Sequence, residues 1–222
     1  KGDELANDFI IDKTTVRFNY NQIALTTFDA KTGDSDIHIT GSLENFYGFL
    51  FKKQELKGKF IMKSELLKIS DFMTSTIDTT TAKNHTTTAV KVPSFINASF
   101  TASAKKVIYD NLTLSNVSGA LIIKNEAIEL NGLKMGLFGG NIKMKGLVST
   151  KEKTPVFSMN LGLTGLNISD SFTQIEMLSS IAPIATTIEG KLNSTIKLSG
   201  SLTQNMIPDI NSISGDLLGQ LV

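Results

Sequence analysis

The chain has 222 residues, 19% of them charged, a formal net charge of +1 and no cysteine. These values bound it to one large domain or two small ones, and they exclude disulfides, thiol catalysis and zinc–thiolate sites. Lys and Asp/Glu are interspersed, without the basic stripe that nucleic acid would require. No apolar run approaches the roughly 20 residues of a membrane helix, and no charged-then-apolar leader opens the chain. The hydrophobic content of 41% suffices for a sizeable core. Thr, Ser and Asn make up the deficit in charge, which suits strands and turns better than helices. The absence of an initiator Met and an end inside the apolar run 217–222 read as a piece of a longer protein.

The first unit runs from about Phe9 to Met73, within a predicted segment 1–73. Its alternation predicts strands around 14–18, 22–30, 36–44, 46–52 and 56–69. Ile23 and Leu25 alternate with polar residues, the phase slips to Phe28 and Ala30, and Lys31-Thr32-Gly33-Asp34 interrupts. Ile37, Ile39, Gly41 and Leu43 then resume. A period of two marks a strand with one buried face, and a slip of one residue marks a β-bulge. His38 falls on the polar side of a strand, and Asp34-Ser35-Asp36 reads as a polar turn without the ligand spacing of a calcium loop.

Residues 74–91 contain two Thr triplets and almost no large apolar side chain, which predicts a flexible loop. His85 lies in it. Neither histidine has a carboxylate or nucleophile at motif spacing.

The second unit, 92–222, repeats the rhythm of the first. Ile128 and Leu130 alternate, the phase slips to Leu133, Met135 and Leu137, Phe138-Gly139-Gly140-Asn141 interrupts, and Ile142, Met144, Gly146 and Val148 resume. Residues 16–43 thus match 121–148 at a spacing of 105 (128 − 23). Leu67-x-Ile69-Ser70-Asp71 matches Leu166-x-Ile168-Ser169-Asp170 at a spacing of 99, so a connecting loop is six residues shorter in the second unit. Gly139 and Gly140 read as a two-residue hairpin turn needing φ > 0. They precede a strand, so they do not form a phosphate cradle at a helix N-terminus.

Ile142 and Met144 form one apolar stripe, and Phe157, Met159, Leu161 and Leu163 another. Flexible, unbranched side chains of this kind fit irregular apolar ligands, which makes Ile142, Met144, Met159, Leu161 and Leu163 candidates for a lipid-facing groove. A helix near 170–187 follows, with Phe172, Ile175, Leu178 and Ala182 on one face, Ser169 as N-cap and Pro183 as its stop. Residues 190–202 alternate again, and the tail 204–209 leaves the sheet.

Val92-Pro93-Ser94-Phe95-Ile96, Ala104 to Leu112, Gly136-Leu137-Phe138-Gly139-Gly140, Ile181-Ala182-Pro183-Ile184-Ala185 and Gln204 to Asp209 together resemble the C-terminal region of the AsmA family. The resemblance covers roughly residues 92–215 and reaches the first unit only through the repeat. It implies the periplasm of a Gram-negative bacterium, a parent anchored in the inner membrane by an N-terminal helix missing here, and a part in outer-membrane biogenesis. Larger relatives look like bridge-type lipid-transfer proteins. No catalytic residues belong to the family pattern, and no cofactor or metal site is expected in this chain.

The sequence therefore predicts a mainly β protein. Duplicated bulged hairpins would form an antiparallel meander, curled and twisted, with one or two short helices packed on it, in one continuous domain. The expected function is non-enzymatic, with phospholipid acyl chains as ligands and envelope proteins as further partners. The competing expectation is a structural or protein-binding module with a fully packed core.

Overall fold

The computed structural model describes residues 8–72, 91–174, 187, 189–203 and 208–222. One open sheet holds strands β1 (Phe9–Phe18), β2 (Gln22–Thr32), β3 (Ser35–Glu44), β4 (Leu56–Lys68), β5 (Ile96–Tyr109), β6 (Leu112–Lys124), β7 (Ala127–Leu137), β8 (Gly140–Ser149), β9 (Val156–Asn167), β10 (Lys191–Ser201) and β11 (Ser214–Leu221). Their spatial order is their chain order. Two short helices, α1 (Phe46–Lys52) and α2 (Ile168–Gln174), sit at the sheet's ends.

One pairing departs from the antiparallel meander: β4 and β5 run parallel. A parallel pair needs a connection of a dozen or more residues crossing back along the sheet. The connection between Lys68 and Ile96 contains the Thr-rich stretch, which lies outside the described residues except for Lys91.

The two hairpins carry their bulges at matching places. Leu25 pairs with Gly41 and Phe28 with Ile39, so β2 holds one residue more than β3. Leu130 pairs with Gly146 and Leu133 with Met144, so β7 does the same against β8. The correspondence continues outward. A one-residue irregularity in β1 between Ile11 and Lys13 matches one in β6 between Ser115 and Ser118. β4 runs into a 3-10 turn, Ile69–Phe72, where β9 runs into α2. Gly41 pairs with Phe60 and Gly146 with Met159, so the six-residue difference falls between the third and fourth strands of each unit. In the first unit that surplus is α1.

Several local expectations need correction. Residues 46–52 form a helix, not a strand. Their aromatic content favours a strand, but Asn45 (φ 61) and Lys53 (φ 54) adopt left-handed backbone at the two ends. The run is thereby folded out of the sheet, and the Phe49 ring packs tilted against Phe95 with ring centroids 5.1 Å apart. Ser169 lies inside α2; the Asn167 side-chain oxygen accepts the Asp170 N–H at 2.9 Å and caps the helix instead. The continuation expected through Ile175, Leu178 and Ala182 to Pro183 lies outside the described residues. In the β7–β8 turn, positive φ falls on Phe138 (48°) and Gly139 (71°), not on Gly140. After Leu202 the chain makes one bridge to Pro208, and a further strand, β11, returns to the sheet.

Candidate functional site: an apolar face bent into a trough

Directly paired residues in a sheet point to the same side. One row of pairs crosses all eleven strands: Val16, Leu25, Gly41, Phe60, Phe100, Leu121, Leu130, Gly146, Met159, Leu198 and Gly215. Every member is apolar or glycine. A second row runs from Phe18 through Ile23, Leu43, Gly58, Ala98, Ile123, Ile128 and Val148 to Phe157. The residues between these rows face the other way and are mostly polar: Ser42, Lys59, Ser99, Glu129, Ser158, Ser199 and Ser214. The sheet thus has an apolar side and a polar side from edge to edge.

An apolar side of this kind ordinarily lies against a second sheet or a helical layer. Among the described residues there is no such layer. Phe60, Met62, Phe100, Leu121, Leu130, Met144, Met159, Leu161 and Leu198 are all only half-buried. At one end the packing is tight. There Met135, Leu137, Phe138, Ile142 and Leu166 form a buried cluster, flanked by Leu112, Leu114, Val117, Leu133 and Leu163.

Between the cluster and the first unit, strands β4 to β7 enclose a hollow of about 540 Å³. Met62, Leu67, Phe100, Val107, Leu121, Leu130 and Leu133 line it. A flat sheet encloses nothing, so these strands curve. The bulges of β6 and β7 lie within the curved region, and bulges raise local twist and bend. Glycine brings backbones together beside the hollow: a Cβ on Gly119 would stand 2.9 Å from the Leu133 Cα, and both residues line it.

The five candidate residues occupy one patch of this apolar side, on β8 and β9. Ile142 pairs with Leu163 and Met144 with Leu161, while Met159 faces Gly146. Ile142, 9% exposed, belongs to the packed cluster, and Leu163 borders it. Met144, Met159 and Leu161 continue the half-buried surface. None of the five lines the hollow itself, which lies on the strands before them. The residues of β5 that do line it carry a readable signal, since Phe100, Ala102 and Ala104 continue a strict alternation that begins at Ile96 and Ala98. Small Ala side chains make that alternation quiet.

The polar groups of the first unit are committed to holding the fold. The buried Asp71 carboxylate accepts from Asp34 N, Ser35 N and Ser35 Oγ at 3.0, 3.1 and 2.8 Å. It ties the β2–β3 turn to the end of β4. Asp36 accepts from Glu65 N and Leu66 N, and from Ser64 Oγ. Burial alone would raise its pKa, but these hydrogen bonds outweigh burial and hold it below the ordinary carboxylate value. Asp34 pairs with Lys68 at 2.9 Å, and that contact raises the lysine's pKa. His38 Nδ1 meets Asp29 across the β2–β3 pair at a half-exposed position. Among the described residues no three His, Asp or Glu side chains gather as metal ligands. A second, polar hollow of about 500 Å³ at the Phe138 turn is lined by Thr113, Ser115, Asn116, Lys134 and Asn141.

No family model, no curated protein and no solved structure matches the chain.

Proposed function

We propose that the chain is the non-enzymatic, periplasmic part of an AsmA-like protein, held at the inner membrane of a Gram-negative bacterium. It would serve outer-membrane biogenesis by carrying phospholipid acyl chains along its apolar face. The observation that carries this reading is the eleven-strand apolar row lying half-buried over a curved sheet, with no second layer among the described residues. Water against so much apolar surface is costly. An acyl chain is long, thin and featureless, and matches a face that is long, apolar and without hydrogen-bonding groups. The polar reverse side keeps such a carrier in water. The rival reading, a module with a filled core, needs a covering layer over Phe100, Leu121 and Leu130.

Native mass spectrometry of the chain purified from bacterial envelopes tests the proposal. Phospholipid should co-purify with the wild type. Met159→Asp and Leu161→Asp should each lose it while keeping a near-normal melting temperature, because an open face tolerates a charge that can stay hydrated. In a packed core the same changes cost several kcal/mol and unfold the chain. A lipid-free wild type, or unfolding of both variants, contradicts the proposal.

A further inference from the structure

Both ends of the sheet show apolar side chains to solvent, but of different kinds. One end gathers the β1–β2 turn, α1 and the segment leading into β5; Phe46 N bonds to Asn21 O and Leu56 N to Phe95 O across it. Six large apolar side chains stand exposed there. Phe18, Tyr20 and Phe51 are 82%, 85% and 68% exposed, and Tyr47, Leu50 and Phe95 are about half-exposed. Lys52 and Lys53, both exposed, close α1 beside them. The opposite end presents the polar turns Gly33-Asp34 and Asp110-Asn111 and keeps Phe138 buried; its exposed apolar side chains are mostly aliphatic, Ile10, Ile11, Leu221 and Val222 at the two edges of the sheet, with Phe9 and Tyr109 besides.

We infer that the aromatic end is a docking rim for a phospholipid bilayer with anionic headgroups. Three features favour this occupant. Tyr and Phe tips flanked by Lys match an interface whose surface is negative and whose interior is apolar. The exposed groups come from three separate segments, the β1–β2 turn, α1 and the lead into β5; a fluid layer accepts such scatter, whereas a protein partner would need a matching pocket for each. Finally, Phe18 belongs to the apolar row that continues through Ile23, Leu43, Gly58 and Ala98, so the apolar side of the sheet opens at this same end. The inference stands apart from acyl-chain carriage, since a rim can dock while the trough stays empty.

The test is flotation of the purified chain with vesicles of phosphatidylethanolamine and phosphatidylglycerol, and with vesicles of neutral lipid alone. Wild type should float with the anionic vesicles. Tyr20→Ser and Phe51→Ser should each lower binding on the order of tenfold without moving the melting temperature, since both side chains are solvent-exposed. Lys52→Gln with Lys53→Gln should weaken binding to anionic vesicles only. Tyr109→Ser, half-exposed at the far end, should bind as wild type. The inference is overturned if wild type does not float, or if Tyr109→Ser loses binding equally. It is also overturned if the lipid-free chain self-associates and the rim variants dissolve that oligomer, because the rim then meets a second copy.

Discussion

At the residue scale, the β7–β8 turn uses two neighbouring glycines for different reasons. Gly139 takes φ 71 with nothing within 4 Å of where a Cβ would stand, so its need is conformational. Gly140 has ordinary φ, but a Cβ there would lie 2.5 Å from Thr164 O on β9, so its need is spatial. Gly139→Val should therefore cost about 1–2 kcal/mol, as for a β-branched residue in left-handed backbone. Gly140→Val should cost more, since β8 and β9 must separate. Chemical denaturation of the two variants would show that order, and equal, near-zero shifts would contradict it. The glycines stood out in the sequence as a pair. Their separate roles did not, because the second depends on a strand more than twenty residues away.

Asp36 gives a pH signature. Its folded-state pKa lies below the ordinary value, so the folded state binds fewer protons at this group than the unfolded state near that value. Its contribution is then fully present above the unfolded pKa of about 3.9 and is lost as pH falls through the folded value. Asp36→Asn should lower the melting temperature at neutral pH, and the gap to wild type should close in acid. A gap independent of pH would remove the charge from the account.

At the element scale, alternation and its one-residue slips were legible, and they located both bulged hairpins to the residue. Leu25, Phe28, Leu130 and Leu133 announce the slip because the phase of large side chains changes there. α1 was not legible. Phe46 to Phe51 has strand-like composition, and what removes it from the sheet is left-handed backbone at Asn45 and Lys53, which no periodicity records. β11 was hidden similarly, because Gly215 and Gly219 alternate with Leu217 and Leu221 and thin the signal. If α1 is a surplus on a repeated unit, residues 45–56 should be replaceable by the six residues 150–155 that make the matching turn between β8 and β9. We expect the graft to keep a β-type circular dichroism spectrum, with only a modest loss of melting temperature from the Phe49–Phe95 contact. Loss of the β spectrum would mean that α1 is needed to align β3 and β4.

At the scale of the whole molecule, the sheet raises an energetic question. Eleven strands share an apolar side, and the described residues draw part of it into a buried cluster around Phe138, Ile142 and Leu166. The sequence marked this side on β8 and β9, where Met144, Met159 and Leu161 are large and regular. It did not mark the hollow itself, because that spans the parallel β4–β5 pairing. Pairing between strands so far apart in the chain has no local signature. The account holds that acyl chains occupy this side. Leu121 and Ile122 test it most directly, being neighbours in β6 that point to opposite faces: Leu121 pairs with Phe100 and Leu130, Ile122 with Ser99 and Glu129. A photoreactive side chain placed at each position and illuminated in living bacteria should capture phospholipid from 121 and not from 122. Equal capture at both, or none at 121, would contradict the account.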